Sequence, residues 1–488
     1  MKRIIMIAFA LAAICTVKAV ERPKLIIGII VDQMRWDYLN YYDYTFGDDG
    51  FRRLLGGGYS FDNCMIDYIP TVTAVGHTAV YTGSVPAITG IAGNNFYIGD
   101  TKTYCCADNA VSTVGSTTDE AGRMSPRNLR VTTMTDAVKM AQDGHSKTVG
   151  ISLKDRGAIL PAGHTADAAY WFDNAEGVFI TSTYYMDTLP AWVREFNEAN
   201  HRTEDVRYNP EGDNIVALFA MAAIEGESLG QRSATDFLTV SFSSTDYVGH
   251  RYGTRSEQTE EVYRELDRQI AALLKYLDEK VGTDNYLLFL SADHAGAHNA
   301  DEMQAMRVPA GKWRETSITD ELNAWLQKTY ETTERPVRDM IEYRIYLDHN
   351  AIRRMGAEVS DVKNRLTDYL TEGDSIAYAV DFNHVAMQTI PNEIRDRIVR
   401  GYNPKRSGDI QIILQPGWYA QADDGYEAGT NHGVWCPYDS HIPLIFYGWN
   451  VPEGHSEREV HITDIAPTVC SMLHVQMPDG CIGQPVSF

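Results

Sequence analysis

The 488-residue sequence carries 43 lysines and arginines against 66 aspartates and glutamates, a formal charge of −23 at pH 7, with 44% hydrophobic residues. Such a length holds two domains, or one large domain with an insertion, and the composition is ordinary globular material. So acidic a surface repels nucleic acid and anionic membranes at long range, which excludes a nucleic-acid binder and makes an anionic substrate depend on local positive charge.

The chain begins with Lys2-Arg3, an apolar stretch from Ile4 to Cys15 and the small-residue end Val17-Lys18-Ala19. This pattern predicts a cleaved signal peptide over residues 1–19, because the apolar run is too short to span a bilayer. Ile14 before Cys15 argues against a lipoprotein site, and no later run reaches spanning length. The mature chain is therefore expected in the periplasm or secreted, without a membrane span. Cleavage takes away Lys2, Arg3 and Lys18 and no acid, so the charge falls to −26. Six cysteines remain, at 64, 105, 106, 436, 470 and 481. They allow fifteen pairings, among which sequence cannot choose, and no Cys-x-x-Cys is present to suggest a thiolate zinc site.

Leu25-Ile-Ile-Gly-Ile-Ile-Val31 is a continuous apolar, β-branched run, the mark of a strand buried on both faces. Lys147–Leu153, Phe237–Phe242, Tyr286–Leu290 and His441–Tyr447 read as further strands of that type. Helices are predicted over Thr132–Gln142, Ile215–Ile224 and Glu257–Lys280, the last with Val262, Leu266, Ile270, Leu273, Leu274 and Leu277 on one face. Strands alternating with helices give an α/β domain with a mainly parallel sheet covered on both sides, where ligands bind beyond the carboxyl ends of the strands. Asp32, Lys154, Asp246 and Asp293 follow four of these strands and so gather along one edge.

Between the first and second strands, Pro70-Thr-Val-Thr-Ala-Val-Gly-His77 leads into Thr78–Gly83. Small and apolar residues at helical spacing predict a short buried helix with Thr71 or Thr73 in its first turn. Unpaired N–H groups and the helix dipole favour an anion there. Residues 301–430 differ in character and predict an inserted α+β cap, with a helix around Val362–Leu370 and a hairpin near Asp409–Trp418. The catalytic domain then comprises residues 20–300 and 431–488, ending in a helix over Asp464–Leu473 whose Pro467 is tolerable in the first turn.

Asp246 and His250 lie four residues apart, Asp293-His294 adds an adjacent pair, and Gly429-Thr-Asn-His432-Gly433 adds another imidazole in a glycine-flanked loop. Carboxylate and imidazole without thiolate suit zinc in an open catalytic site. Two metals about 3.5 to 4 Å apart can hold both oxygens of an in-line displacement, and a threonine hydroxyl becomes a nucleophile once a metal or base activates it. Taken singly, each residue has a blander reading: Thr73 as a helix cap, His250 as a hydrogen-bonded core histidine, His432 as a loop residue. The joint pattern at strand ends favours metal chemistry.

The order of motifs resembles the alkaline phosphatase superfamily, in particular the phosphate-irrepressible PafA-type enzymes, with kinship to the nucleotide pyrophosphatase/phosphodiesterases. Val31-Asp32, Pro70–Thr73 with Gly76-His77, Thr82–Pro86 followed by Gly90–Asn94, Ser152–Ala158, Thr245-Asp246 with Gly249-His250, Ser291–His294 and Gly429–Gly433 carry the resemblance. It implies the alkaline-phosphatase-like fold, two Zn²⁺ per chain and a phosphothreonine intermediate on Thr73. One zinc would be held by Asp246, His250 and His432, and the other by Asp32, Asp293 and His294 with Thr73. Asn94, Lys154 and Arg156 would contact the non-bridging oxygens of small phosphate monoesters, and the chain would act as a monomer. Ala74-Val75 and Thr89 depart from the usual residues, and the Cys-x-Pro-x-Arg sulfatase signature is absent. The alternatives are a nucleotide phosphodiesterase of the same superfamily and, more remotely, a non-catalytic binding protein.

Overall fold

The computed structural model describes residues 22–421 and 429–488, so the predicted signal peptide lies outside the described residues. Ten strands form the main sheet: β1 (Leu25–Val31), β2 (Tyr59–Phe61), β3 (Thr113–Val114), β4 (Thr148–Ser152), β5 (Ala168–Asp173), β6 (Val178–Ser182), β7 (Asp236–Phe242), β8 (Tyr286–Ser291), β9 (Leu444–Gly448) and β10 (Gly454–Ser456). Their spatial order is β10-β2-β9-β8-β1-β7-β4-β5-β6-β3. The central run β8-β1-β7-β4-β5 is parallel throughout, and antiparallel pairing begins at β9 on one side and β6 on the other. Every residue of β1, β7 and β8 is buried. Since alternate strand residues face opposite sides, both faces of the sheet are covered.

The covering helices include α1 (Thr73–Thr82), α2 (Asp155–Ala162), α3 (Glu211–Gly226), α4 (Ser244–Tyr252) and α5 (Glu257–Lys280). Helix α5 matches its expected bounds to the residue, because its leucines repeat on one face and Ser256 caps it by accepting from Thr259 N. All ten residues of α1 are buried.

Two expected elements differ. The His441–Tyr447 run is not one strand of the parallel type. His441–Ile442 pairs with Cys64–Met65, while β9 starts at Leu444 and runs antiparallel to β8. Pro443 divides the run because it has no N–H to give a ladder; its carbonyl accepts instead from Ser291 Oγ at 2.8 Å. The predicted hairpin near Asp409–Trp418 is also absent. Ile410–Leu414 lies between Arg344–Leu347 and Ile376–Asp381 in a four-stranded sheet, whereas Trp418–Gln421 pairs in parallel with Gly311–Arg314. Pro416 and Gly417, the latter at φ +83°, turn the chain out of the first sheet.

Trp313, Leu322, Ile345, Leu366 and Ile412 belong to a hydrophobic cluster separate from the one around the main sheet. The six cysteines among the described residues are free thiols, and no helix among the described residues is long and apolar enough to cross a membrane.

Candidate active site

Parallel register brings the strand ends level. Val31 lies opposite Phe242, Ile30 opposite Ser291, and Ser241 opposite Ser152. The residues that follow therefore emerge at one edge. Asp32 comes directly after β1, Asp293-His294 shortly after β8, Asp246 in the first turn of α4 after β7, and Lys154 caps the start of α2 after β4. His250 stands one turn beyond Asp246 on α4. His432 arrives on the 429–433 loop, which runs so close to α4 that a Cβ at Gly429 would fall 1.7 Å from the His250 carbonyl oxygen.

Three imidazoles then turn one nitrogen each toward the carboxylates. Nδ1 of His250 donates to Thr430 O (3.0 Å), that of His432 to Thr71 O (2.7 Å), and that of His294 to Ala295 O (2.9 Å). A carbonyl can only accept, so each Nδ1 carries a proton, and in the neutral ring the lone pair is on Nε2. His250 Nε2 lies 3.1 Å and His432 Nε2 3.7 Å from Asp246 Oδ1. His294 Nε2 lies 3.5 Å from Asp32 Oδ1 and 3.6 Å from Asp293 Oδ2. The rings of His294 and His432 stack, with centroids 3.6 Å apart.

Three carboxylates meet here with a single ammonium. Asp32, Asp246 and Asp293 are buried, and Lys154 Nζ sits 2.6 Å from Oδ2 of both Asp32 and Asp246. Burial and the charge of Asp293 push the Asp32 carboxyl well above the usual range. At Asp246 burial acts the same way but loses to the facing His250 and Lys154, which hold it well below that range. Burial holds His432 neutral. The deficit of positive charge is one that buried carboxylates satisfy by pairing or by coordinating metal.

Unsatisfied atoms point the same way. Asp32 Oδ1 and His294 Nε2 are buried without a hydrogen-bond partner. Two groupings place candidate ligand atoms within 4.8 Å of one another: Asp246, His250 and His432, and Asp32, Asp246 and His294. Asp246 thus belongs to both, and Asp293 borders the second through its 3.6 Å approach to His294. The donors are oxygen and imidazole nitrogen, a set that fits zinc.

Helix α1 closes the site from the other side. Thr73 is its first residue and is buried; Val72 stands in the cap position, so Thr73 is not the capping residue. A Cβ at Gly76 would lie 2.0 Å from the Asp293 carbonyl oxygen, which is why the helix packs so closely there. His77 Nδ1 reaches both Thr73 O (2.9 Å) and Asp293 Oδ2 (3.2 Å), and its Nε2 meets Ser241 Oγ at 2.7 Å. Asn94 Oδ1 accepts from Ala74 N at 3.0 Å, which ties it to the same turn. Arg156, on α2, neighbours Lys154 but donates to Tyr104 OH (3.1 Å) rather than to the carboxylates, and its Nε is buried without a partner.

Sequence reasoning missed two supports. Gln33, at φ +62°, donates its backbone N–H to Asp293 Oδ1 (3.2 Å) and its Nε2 to Asp246 Oδ1 (2.6 Å). Its position next to Asp32 was the only hint. Asp213 on α3 accepts from Ser244 N at 2.9 Å and anchors the start of α4, a role without a sequence signature.

Burial raises the Asp213 carboxyl to about 7. Between its ordinary range and that value the folded chain keeps a proton that the unfolded chain has released. Stability therefore falls as pH rises from about 4 to 7 and is level above, by up to about 4 kcal/mol. Asp213→Asn should remove this fall. Melting temperatures at pH 5 and pH 8 check it: variant minus parent should be more positive at pH 8.

The profile of the type I phosphodiesterase / nucleotide pyrophosphatase family matches residues 26–435. The chain is 42% identical to the alkaline phosphatase PafA of Elizabethkingia meningoseptica, covering 96% of this chain and 95% of that one. It is 41% identical to a protein of Myroides odoratus named a calcium-transporting ATPase, covering 99% and 97% of the two chains. The crystal structure of wild-type PafA superposes with a TM-score of 0.92 at 41% identity over 96% of this chain and 99% of that one. With its fold, its strand-end carboxylates and these matches in agreement, the chain belongs to the type I phosphodiesterase/nucleotide pyrophosphatase family.

Proposed function

We propose that the chain is an exported alkaline phosphatase that hydrolyses small phosphate monoesters with two zinc ions and a covalent phosphothreonine on Thr73. The observation that carries this reading is the convergence of three imidazole Nε2 atoms and three buried carboxylates beside the first turn of α1.

Asp246, His250 and His432 would hold one ion, and Asp32, Asp293 and His294 with Thr73 the other. Zinc supplies positive charge beside the reacting oxygens and lowers the pKa of oxygen nucleophiles. The Thr73 hydroxyl attacks phosphorus in line with the ester oxygen, the P–O bond to the leaving oxygen breaks, and the hydroxyl proton passes by way of water to that oxygen, which departs as the alcohol. Water then attacks the phosphothreonine and releases inorganic phosphate, restoring the hydroxyl. Asn94, Lys154 and Arg156 contact the non-bridging oxygens. The Lys154 ammonium is shared between Asp32 and Asp246 in the structure; with divalent charge on those carboxylates it would be free to face a phosphate dianion. Within the predicted cap, the described residues 301–421 would border the site. The signal peptide of residues 1–19 directs export to the periplasm or beyond, and the mature chain works as a monomer.

Initial rates on an aryl phosphate and a bis-aryl phosphate, with elemental analysis of unsupplemented protein, test this. Monoester preference, about two zinc ions per chain and loss of activity with chelator are expected. A wide preference for the diester would move the chain to the second reading, a nucleotide phosphodiesterase, an activity that the family's name includes. The ATPase name of one relative fits the same chemistry, since ATP hydrolysis transfers a phosphoryl group to water. Lys154→Ala should lower monoester turnover about 10²- to 10³-fold and diester turnover less, because the lost contact is to charge only the monoester carries. Equal losses would remove Lys154 from that role.

A further inference from the structure

Val337–Ile341 and Arg344–Leu347 pair antiparallel and are joined by Glu342 and Tyr343. Both joining residues have positive φ, +51° and +64°. A two-residue turn of this hand normally takes Asn-Gly, because side chains with a Cβ are disfavoured there. A bulky Glu-Tyr pair in such a turn points to a use for the side chains that outweighs the backbone strain.

The two side chains reach different loops, those that carry Asn94 and His432. Glu342 Oε1 accepts from Asn94 N at 2.9 Å, and Asn94 Oδ1 in turn accepts from Ala74 N, next to Thr73. The fit is close: a Cβ at Gly93 would lie 2.0 Å from Glu342 Oε2. Tyr343 OH donates to His432 O (3.2 Å) and accepts from Ala420 N (2.9 Å), and a Cβ at Gly433 would lie 2.8 Å from its ring. The turn is itself braced, since the Glu315 carboxylate accepts from the backbone N–H groups of Tyr343 and Glu342. One strained turn thus fixes the loop that carries Asn94 and the loop that carries His432, from a segment more than 80 residues before the second and about 250 after the first.

We propose that Glu342 and Tyr343 are positioning residues for the phosphate-binding Asn94 and the ligand His432, so that residues 311–421 set the geometry of the catalytic groups. The inference rests on the roles given above to Asn94 and His432. Glu342 acts through the Asn94 backbone, holding the amide where it meets a non-bridging oxygen. Tyr343 acts through the His432 carbonyl, fixing the loop on which the imidazole sits.

A double-mutant cycle on the zinc-loaded full chain tests it. Glu342→Ala should lower kcat/KM for an aryl phosphate about 10- to 100-fold, the range for losing a group that orients an active-site residue. In an Asn94→Ala background the same change should have less than a threefold effect, because the residue it orients is gone. Glu342→Gln, which keeps an acceptor for Asn94 N, should recover most of the loss and controls for folding. Tyr343→Phe should lower zinc occupancy or affinity and leave the Glu342–Asn94 coupling unchanged. Additive losses in the cycle, or full zinc affinity in Tyr343→Phe, would overturn the corresponding half. If Asn94→Ala alone has no effect, the phosphate reading of Asn94 fails instead, so the two failures are separable.

Discussion

Thr73→Ala is expected to keep the fold and the bound zinc while losing about a thousandfold or more of the phosphatase rate. Removing a nucleophile that forms a covalent intermediate deletes the low-barrier route, and the remaining rate comes from binding and electrostatics alone. Metal should persist because Asp32, Asp246 and His294 keep their candidate ligand atoms within 4.8 Å of one another without Thr73, and Asp293 stays 3.6 Å from His294 Nε2. Thr73→Ser offers a matched control, since it retains an oxygen in the first turn of α1. Rapid quenching with a labelled aryl phosphate should trap phosphoprotein in the parent and none in the alanine variant. An alanine variant with more than a tenth of the parental rate would show that Thr73 is not the nucleophile.

Asp246→Ala should have the second largest effect, and it should appear first in metal content. Oδ1 of Asp246 faces His250, His432 and Gln33, and Oδ2 faces Lys154, so one side chain serves both groupings of candidate ligands. Its loss should reduce bound zinc by at least one ion per chain and the rate by about a thousandfold, since a two-metal site with one ion loses a clamp on the attacking or leaving oxygen. Elemental analysis after dialysis reads the first effect directly. Retention of both ions would mean that Asp246 is no ligand and that Lys154 alone explains its burial.

Much of the fold was legible because the relevant signals were local. The apolar run at Leu25–Val31 could only be a strand covered on both faces, and the leucine spacing of α5 set its length. Strand ends then named Asp32, Lys154, Asp246 and Asp293 without any knowledge of the rest, because parallel strands all finish at the same edge. Where pairing partners decide the outcome, the sequence was silent. Ile410–Leu414 and Trp418–Gln421 carry a hairpin pattern but find partners elsewhere, and Pro443 splits what composition alone reads as one strand. Glu342 was invisible for the same reason, as nothing near it in the chain marks a residue whose purpose lies beside Asn94.

The candidate metal ligands come from positions as early as 32 and as late as 432, on segments that only the complete fold brings together. During synthesis the last imidazole leaves the ribosome after most of the chain has been made, so an unfinished polypeptide offers scattered weak donors and no high-affinity pocket. If the proposed zinc ions bind, their capture would be a late event that reports completed assembly, and the stability gained would accrue to the whole molecule rather than to a part. Starving the medium of zinc should accordingly lower the protease resistance of β1 and of the 429–433 loop together.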